Sequence, residues 1–141
     1  MKRTASAEWT GSLKEGRGTM SADSGVLNDT QYSFSTRFEE GVGTNPEELI
    51  GAAHAGCYSM ALSAELGKAG FNPQSVKTSA TVTLEMLEGG PTVTGVHLVA
   101  VANVPGADDE AFQKVANGAK EGCPISRLLD TEITLTATLE N

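Results

Sequence analysis

The segment that most constrains this chain runs from Asn45 to Leu62. Asn45-Pro46-Glu47-Glu48 is a strong helix start, with an N-cap asparagine, proline at the first helical position and an acid at N3. Beyond it, Leu49, Ile50, Ala52, Ala53, Ala55, Cys57, Met60, Ala61 and Leu62 cover nearly every side of the helix. A helix that is apolar all round is buried all round. A chain of 141 residues can hardly wrap such a helix alone. A sheet curled around it is therefore expected, with a second subunit completing the cover.

The sheet is legible by period. Ala80, Val82, Leu84 and Met86 alternate with Ser79, Thr81, Thr83 and Glu85, which predicts a strand over Ser79 to Met86. Glu88-Gly89-Gly90-Pro91 makes a turn, and Val93 to Val104 returns as the second arm of a hairpin. A last strand, Glu132 to Glu140, sets Ile133, Leu135, Ala137 and Leu139 against Thr134, Thr136 and Thr138. Shorter strands are expected at Arg3 to Thr10, Gly18 to Ala22 and Gln31 to Phe38. Asp108 to Lys120 reads as an amphipathic helix, with acids at its positive end and Phe112, Val115, Ala116 and Ala119 on one face. No repeat or linker interrupts the chain, so a single domain over 1–141 is expected.

Charge narrows the function. A net charge of −8 argues against nucleic-acid binding and against docking on anionic membranes. No stretch approaches the roughly 20 apolar residues of a transmembrane helix. The start carries charge without an apolar core, so no signal peptide is expected and the cytosol is the expected location. In that compartment two cysteines are less suited to a permanent staple than to catalysis, sensing or simple burial.

Cys57 lies mid-helix in Ala55-Gly56-Cys57 among small side chains, and Cys123 in Gly122-Cys123-Pro124 just past a helix end. A buried and a turn-borne cysteine suit a peroxidatic and resolving pair, although two thiols that never meet fit the spacing equally. A free cysteine is only slightly ionised at neutral pH, and the helix N-terminus is too far to help, so a reactive Cys57 needs a nearby cation. Arg37, in Tyr32-Ser33-Phe34-Ser35-Thr36-Arg37-Phe38, is the first choice, placed late in a strand before the glycine turn. Glu47 or Glu48 would partner it, and Arg17 is the reserve. His54, three residues before Cys57, makes a Cys–His nucleophilic pair conceivable. A zinc site from Cys57, Cys123, His54 and His97 would lack the tight spacing of known zinc motifs.

At these residues the chain resembles the OsmC/Ohr family of osmotically inducible and organic hydroperoxide resistance proteins. The resemblance is carried by Thr44-Asn45-Pro46-Glu47-Glu48-Leu49-Ile50-Gly51-Ala52-Ala53-His54-Ala55-Gly56-Cys57, by Gly122-Cys123-Pro124-Ile125-Ser126 and by Thr36-Arg37-Phe38-Glu39. It covers essentially the whole chain. Arginine just before Asn45-Pro46-Glu47 places it nearer the OsmC branch, since Ohr carries its arginine near the position of Arg17.

The resemblance implies an α+β intertwined dimer with antiparallel sheets wrapped around central helices and both sites at the interface. It implies a thiol peroxidase that prefers organic hydroperoxides to hydrogen peroxide, with no metal or bound cofactor. Cys57 would be the peroxidatic and Cys123 the resolving cysteine, Arg37 would hold the Cys57 thiolate, and Glu47 would anchor Arg37. A lipoyl-bearing protein or thioredoxin would be the external dithiol reductant. Ten residues of straight helix set Glu47 about 15 Å from Cys57. For Arg37 to serve both, either the helix bends near Gly51 or Gly56 or the arginine reaches across the dimer. Two rival readings use the same residues: an apolar-ligand-binding module without catalysis, and a Cys57–His54 acyl-transfer enzyme.

Overall fold

A computed structural model describes all residues from Met1 to Asn141. They group into two compact units, Met1–Leu49 and Ile50–Asn141.

In the first unit β1 (Ala5–Thr10), β2 (Arg17–Ala22) and β3 (Thr30–Tyr32) form an antiparallel sheet in sequence order. The strand expected over Gln31 to Phe38 stops after Tyr32, and Phe34–Phe38 forms a short helix, α1. Two local interactions explain the change. Ser33 caps the helix by accepting from the Thr36 N–H, while the Thr36 hydroxyl oxygen accepts from the Ser33 N–H at 2.9 Å. Phe34 and Phe38, one turn apart, bring their ring centroids within 5.0 Å. Arg37 is therefore a helical residue, not a strand residue.

Helix α2 (Pro46–Lys68) starts where the sequence signals it, with the Asn45 side-chain oxygen accepting from the Glu48 N–H at 2.8 Å. It continues without interruption through Gly51 and Gly56, so neither glycine breaks the helix. No helix is long and apolar enough to cross a membrane.

In the second unit β4 (Ser75–Leu87) and β5 (Gly90–Asn103) make the expected antiparallel hairpin, joined by Glu88 and Gly89 and shifted in register by a bulge beside Thr83 and Leu84. Helix α3 (Asp109–Gly122) is capped by the Asp108 carboxylate, which accepts from the Ala111 N–H. A short helix, α4 (Pro124–Leu128), follows Cys123 directly. The chain then adds β6 (Glu132–Leu139) to the free edge of β5 in parallel, giving the order β4-β5-β6. The parallel pairing follows from the crossover through α3 and α4, which brings the chain back to the same end of the sheet.

One face of this sheet is covered and the other is rich in exposed threonine. Val96, Leu98, Ala100 and Ala102 of β5 are buried against Tyr58, Leu62 and Leu66 of α2 and Phe112, Ala116 and Ala119 of α3. Helix α2 is covered on only one stripe, through Gly51, His54, Tyr58, Leu62 and Leu66. Ala52, Ala53, Gly56 and Ala64 are exposed, and Met60 stands 77% exposed. The all-round apolar pattern is thus half satisfied within one chain.

Candidate active site

Cys57 and Cys123 meet. Their sulfurs lie 2.9 Å apart, although the residues are 66 positions apart in sequence, and both thiols are free. Cys57 is presented from the middle of α2, and Cys123 from the junction of α3 and α4. Pro124 ends α3 there because a proline cannot continue the preceding helix but fits the first position of the next. Cys123 is fully buried and Cys57 half-buried.

The second contact between α2 and α4 is polar. His54 Nε2 lies 2.7 Å from the Ser126 hydroxyl oxygen. His54 is fully buried and its Nδ1 has no partner. Residues 54 and 57 are one turn apart on α2, and 123 and 126 one turn apart at α4, so the two pairs form adjacent rungs between the same elements. His54 bonds Ser126 rather than Cys57, so the Cys–His nucleophilic pair does not form. His97 is elsewhere, on the exposed sheet face, with Nδ1 2.6 Å from the Thr134 hydroxyl. No group of three His, Cys, Asp or Glu side chains converges.

The two thiols have different surroundings. Burial pushes the Cys57 thiol up, its hydrogen bond with Cys123 pushes it further, and the Ile125 backbone N–H opposes them only in part. Burial would also raise Cys123. The contact shared with Cys57 and the polar groups of Ser126 and Ile125 at the start of α4 outweigh it, so Cys123 falls below the ordinary thiol range. Between the two sulfurs, these surroundings favour the negative charge on Cys123.

The first unit holds an arginine–carboxylate pair. Arg37 Nε donates to both Glu47 oxygens, at 3.1 and 3.2 Å, and Nη2 donates to Oε1 at 2.8 Å. Glu47 is 11% exposed and Arg37 36% exposed, so the carboxylate is the anchor and part of the guanidinium remains open. The guanidinium also lies over the Phe38 ring, 5.1 Å from its centroid. Beside it Trp9, Leu13, Tyr32, Phe34 and Phe38 line a groove of about 210 Å³ with Arg37 in its wall. Arg17 is exposed at the start of β2 and makes no ion pair. Glu48 faces Thr44 instead, accepting its hydroxyl at 2.9 Å.

Sequence reasoning missed Ser126, Tyr58 and the aromatic groove. Ser126 was within reach, because Cys123-x-x-Ser126 mirrors His54-x-x-Cys57 in spacing. The groove carried no local signal, since its residues come from three separate segments.

Residues 39–138 match the family described as OsmC-like protein. The chain is 51% identical to peroxiredoxin OsmC of Escherichia coli over 135 residues, spanning 96% of this chain and 94% of that protein. The crystal structure of the organic hydroperoxide resistance protein OhrB of Bacillus subtilis superposes with a TM-score of 0.67, at 26% identity, over 97% of this chain and 98% of that one. An OsmC-like protein from Mycoplasma pneumoniae, only 14% identical, superposes with a TM-score of 0.76 over 100% of this chain and 99% of that one. Sequence identity, family match and fold agree: the chain belongs to the OsmC family.

Proposed function

We propose that this protein is a cysteine-based peroxidase that reduces organic hydroperoxides to alcohols, and hydrogen peroxide more weakly. The observation that carries the reading is the meeting of Cys57 and Cys123 at 2.9 Å in a chain half identical to a peroxiredoxin. Cys57 attacks the distal peroxide oxygen as a thiolate; the O–O bond breaks, an alcohol leaves after taking one proton, and Cys57 becomes a sulfenic acid. Cys123 then attacks that sulfur, the S–O bond breaks, and water leaves with the Cys123 proton. An external dithiol, a lipoyl-bearing protein or a thioredoxin-like protein, exchanges with the resulting disulfide and resets the pair.

Arg37 holds the Cys57 thiolate and Glu47 holds Arg37. The unbroken helix sets Glu47 ten residues, about 15 Å, from Cys57. The cation that faces Cys57 in this reading is the partner subunit's Arg37, in a homodimer whose contact covers the open apolar stripe of α2. The aromatic groove comes with that arginine and takes the organic tail of the substrate, which is what favours organic hydroperoxides over hydrogen peroxide. The protein acts in the cytoplasm as one OsmC-like domain over residues 1–141.

The test is consumption of an organic hydroperoxide by the purified protein with a dithiol reductant. Cys57→Ser should abolish turnover. Cys123→Ser should allow one oxidation per subunit and then stop. Full activity in Cys57→Ser would overturn the assignment.

A further inference from the structure

We propose that the hydrogen bond between His54 and Ser126 is a latch that keeps the resolving cysteine in reach: it fixes the first turn of α4 on α2, and with that turn it holds Cys123 beside Cys57. Its role in turnover rests on the peroxidase reading above, to which it adds two positioning residues.

The short helix cannot hold itself in place. It has five residues, too few to recover by propagation the cost of starting a helix. Cys123 stands at its N-cap without a side-chain hydrogen bond, and no residue of the helix is fully buried. Ile125 and Leu129 reach the core only in part. The polar tie to α2 is the 2.7 Å contact between His54 Nε2 and the Ser126 hydroxyl oxygen. Cys123 belongs to the same turn, since its carbonyl accepts from the Arg127 N–H at 3.0 Å. What moves Ser126 therefore moves Cys123.

The burial of His54 favours the closed latch. The ring is fully buried and Nδ1 has no partner, so Ser126 is the one group it bonds. Neutral imidazole bears a single ring hydrogen. On Nδ1 it would be a buried donor without an acceptor, whereas on Nε2 it meets the Ser126 oxygen, which makes His54 the donor. Swinging α4 away would strip the imidazole of that acceptor, and a buried donor left unpaired costs more than an ordinary hydrogen bond contributes.

The latch bears on resolution and not on peroxide attack, because only the second step uses Cys123. His54 and Cys57 are one turn apart on α2, and Cys123 and Ser126 span one turn at α4, so the polar rung holds the sulfur rung beside it at 2.9 Å. A disulfide forms only while its Cα atoms lie within about 7 Å. Closure is then fast because the two groups are held together, and it slows in proportion to the time the turn spends open. In that step the S–S bond forms, the S–O bond breaks, and the departing hydroxide takes up the proton that Cys123 releases. By linkage, a latch that favours the disulfide is favoured by it in return.

Two measurements on the full-length protein test this. Equilibration with mixtures of reduced and oxidised dithiothreitol, read by mass spectrometry after acid quench, gives the equilibrium constant for closing the Cys57–Cys123 disulfide. Ser126→Ala should lower it about fivefold, the factor set by one net hydrogen bond, and Ser126→Thr, which keeps the hydroxyl, should restore it. Rapid quench after one equivalent of cumene hydroperoxide separates loss of the Cys57 thiol from formation of the disulfide. The ratio of the second rate to the first should fall by the same factor in Ser126→Ala, leaving more sulfenic acid for dimedone to trap. His54→Leu should act in the same direction, and His54→Gln, whose amide can still donate, should restore closure. Should His54→Leu fail to fold, the serine pair decides. An equilibrium constant unchanged in Ser126→Ala, or lowered equally in Ser126→Thr, would overturn the latch. A parent protein that no hydroperoxide oxidises would overturn the peroxidase reading instead, and the dithiothreitol equilibrium would then decide the latch alone.

Discussion

Replacing Ser33 by alanine removes the acceptor for the Thr36 N–H and half of the reciprocal cap that starts α1. A five-residue helix has almost no interior, so it cannot recover the unfavourable cost of its first turn by propagation. What holds it is local: the cap, the Asn45 side-chain N–H donating to the Thr36 carbonyl at 3.0 Å, and the Phe34–Phe38 contact. Loss of an N-cap acceptor costs about 1 kcal/mol, so the opening equilibrium of this turn should rise about fivefold. Hydrogen exchange read by NMR is the assay. The Glu39 and Gly41 amides, which donate to the Ser35 carbonyl at 3.0 and 3.2 Å, should exchange about fivefold faster in Ser33→Ala. Ser33→Thr keeps an acceptor and should exchange like the parent. Unchanged exchange at both amides in Ser33→Ala would refute the claim that the cap holds the helix.

Stability should fall on acidification because of His54. Burial depresses its folded pKa below the ordinary value of about 6.5, so below that pH the unfolded chain takes a proton that the folded chain refuses. The His54 contribution is present above about pH 6.5 and lost as pH drops below it. Urea midpoints at several pH values, compared with His54→Gln, should show a shallower acid loss in the variant; parallel curves would count against it. A cross-subunit arginine makes a separate prediction. Equal amounts of inactive Arg37→Ala and Cys57→Ser chains, unfolded and refolded together, should recover about a quarter of parental activity, since a mixed two-fold dimer contains one intact site. No recovery in mixtures shown by mass to contain mixed dimers would mean that Arg37 serves its own chain.

Where the sequence could be read, a local pattern had one physical meaning. Asn45-Pro46-Glu47-Glu48 can only start a helix, and the Asn45 bond to Glu48 is the geometry it specifies. The threonine alternation in β6 and the Glu88-Gly89 turn are equally unambiguous. Tyr32 to Phe38 was not, because Phe34 and Phe38 satisfy both a two-residue and a four-residue spacing, and Ser33-x-x-Thr36 lacks the acid of the commoner capping box. The parallel β5–β6 pairing depends on where the α3–α4 crossover lands, which no residue of β6 encodes by itself. At the site, residue types that carry chemistry drew attention to Cys57 and Cys123, whose sulfurs meet, and to Arg37, whose partner was open between Glu47 and Glu48 until the geometry paired it with Glu47. Ser126 was silent because serine in a turn has many uses, and only its distance from His54 gives it one.

The peculiarities of α2 answer to one requirement. Its buried stripe uses large residues, Tyr58, Leu62 and Leu66, to fix the helix on the sheet. Its open stripe uses Ala52, Ala53, Gly56 and Ala64, which stabilise little in water and gain only when another surface approaches closely. Met60 on that stripe is worth roughly 1.5–3 kcal/mol if covered and nothing if left exposed. Cys57 is half-buried at the edge of the same stripe, and burial pushes its thiol up. A surface that covers the stripe would therefore do two things together: exclude water from the sulfur, which strengthens any ion pair made there, and deliver the charge that makes the sulfur reactive. Separating those effects would leave either a dry, protonated thiol or a charged but water-exposed one, and neither suits reduction of an apolar hydroperoxide. In the homodimer proposed above, the small residues of the open stripe are what would let a second surface approach the sulfur closely.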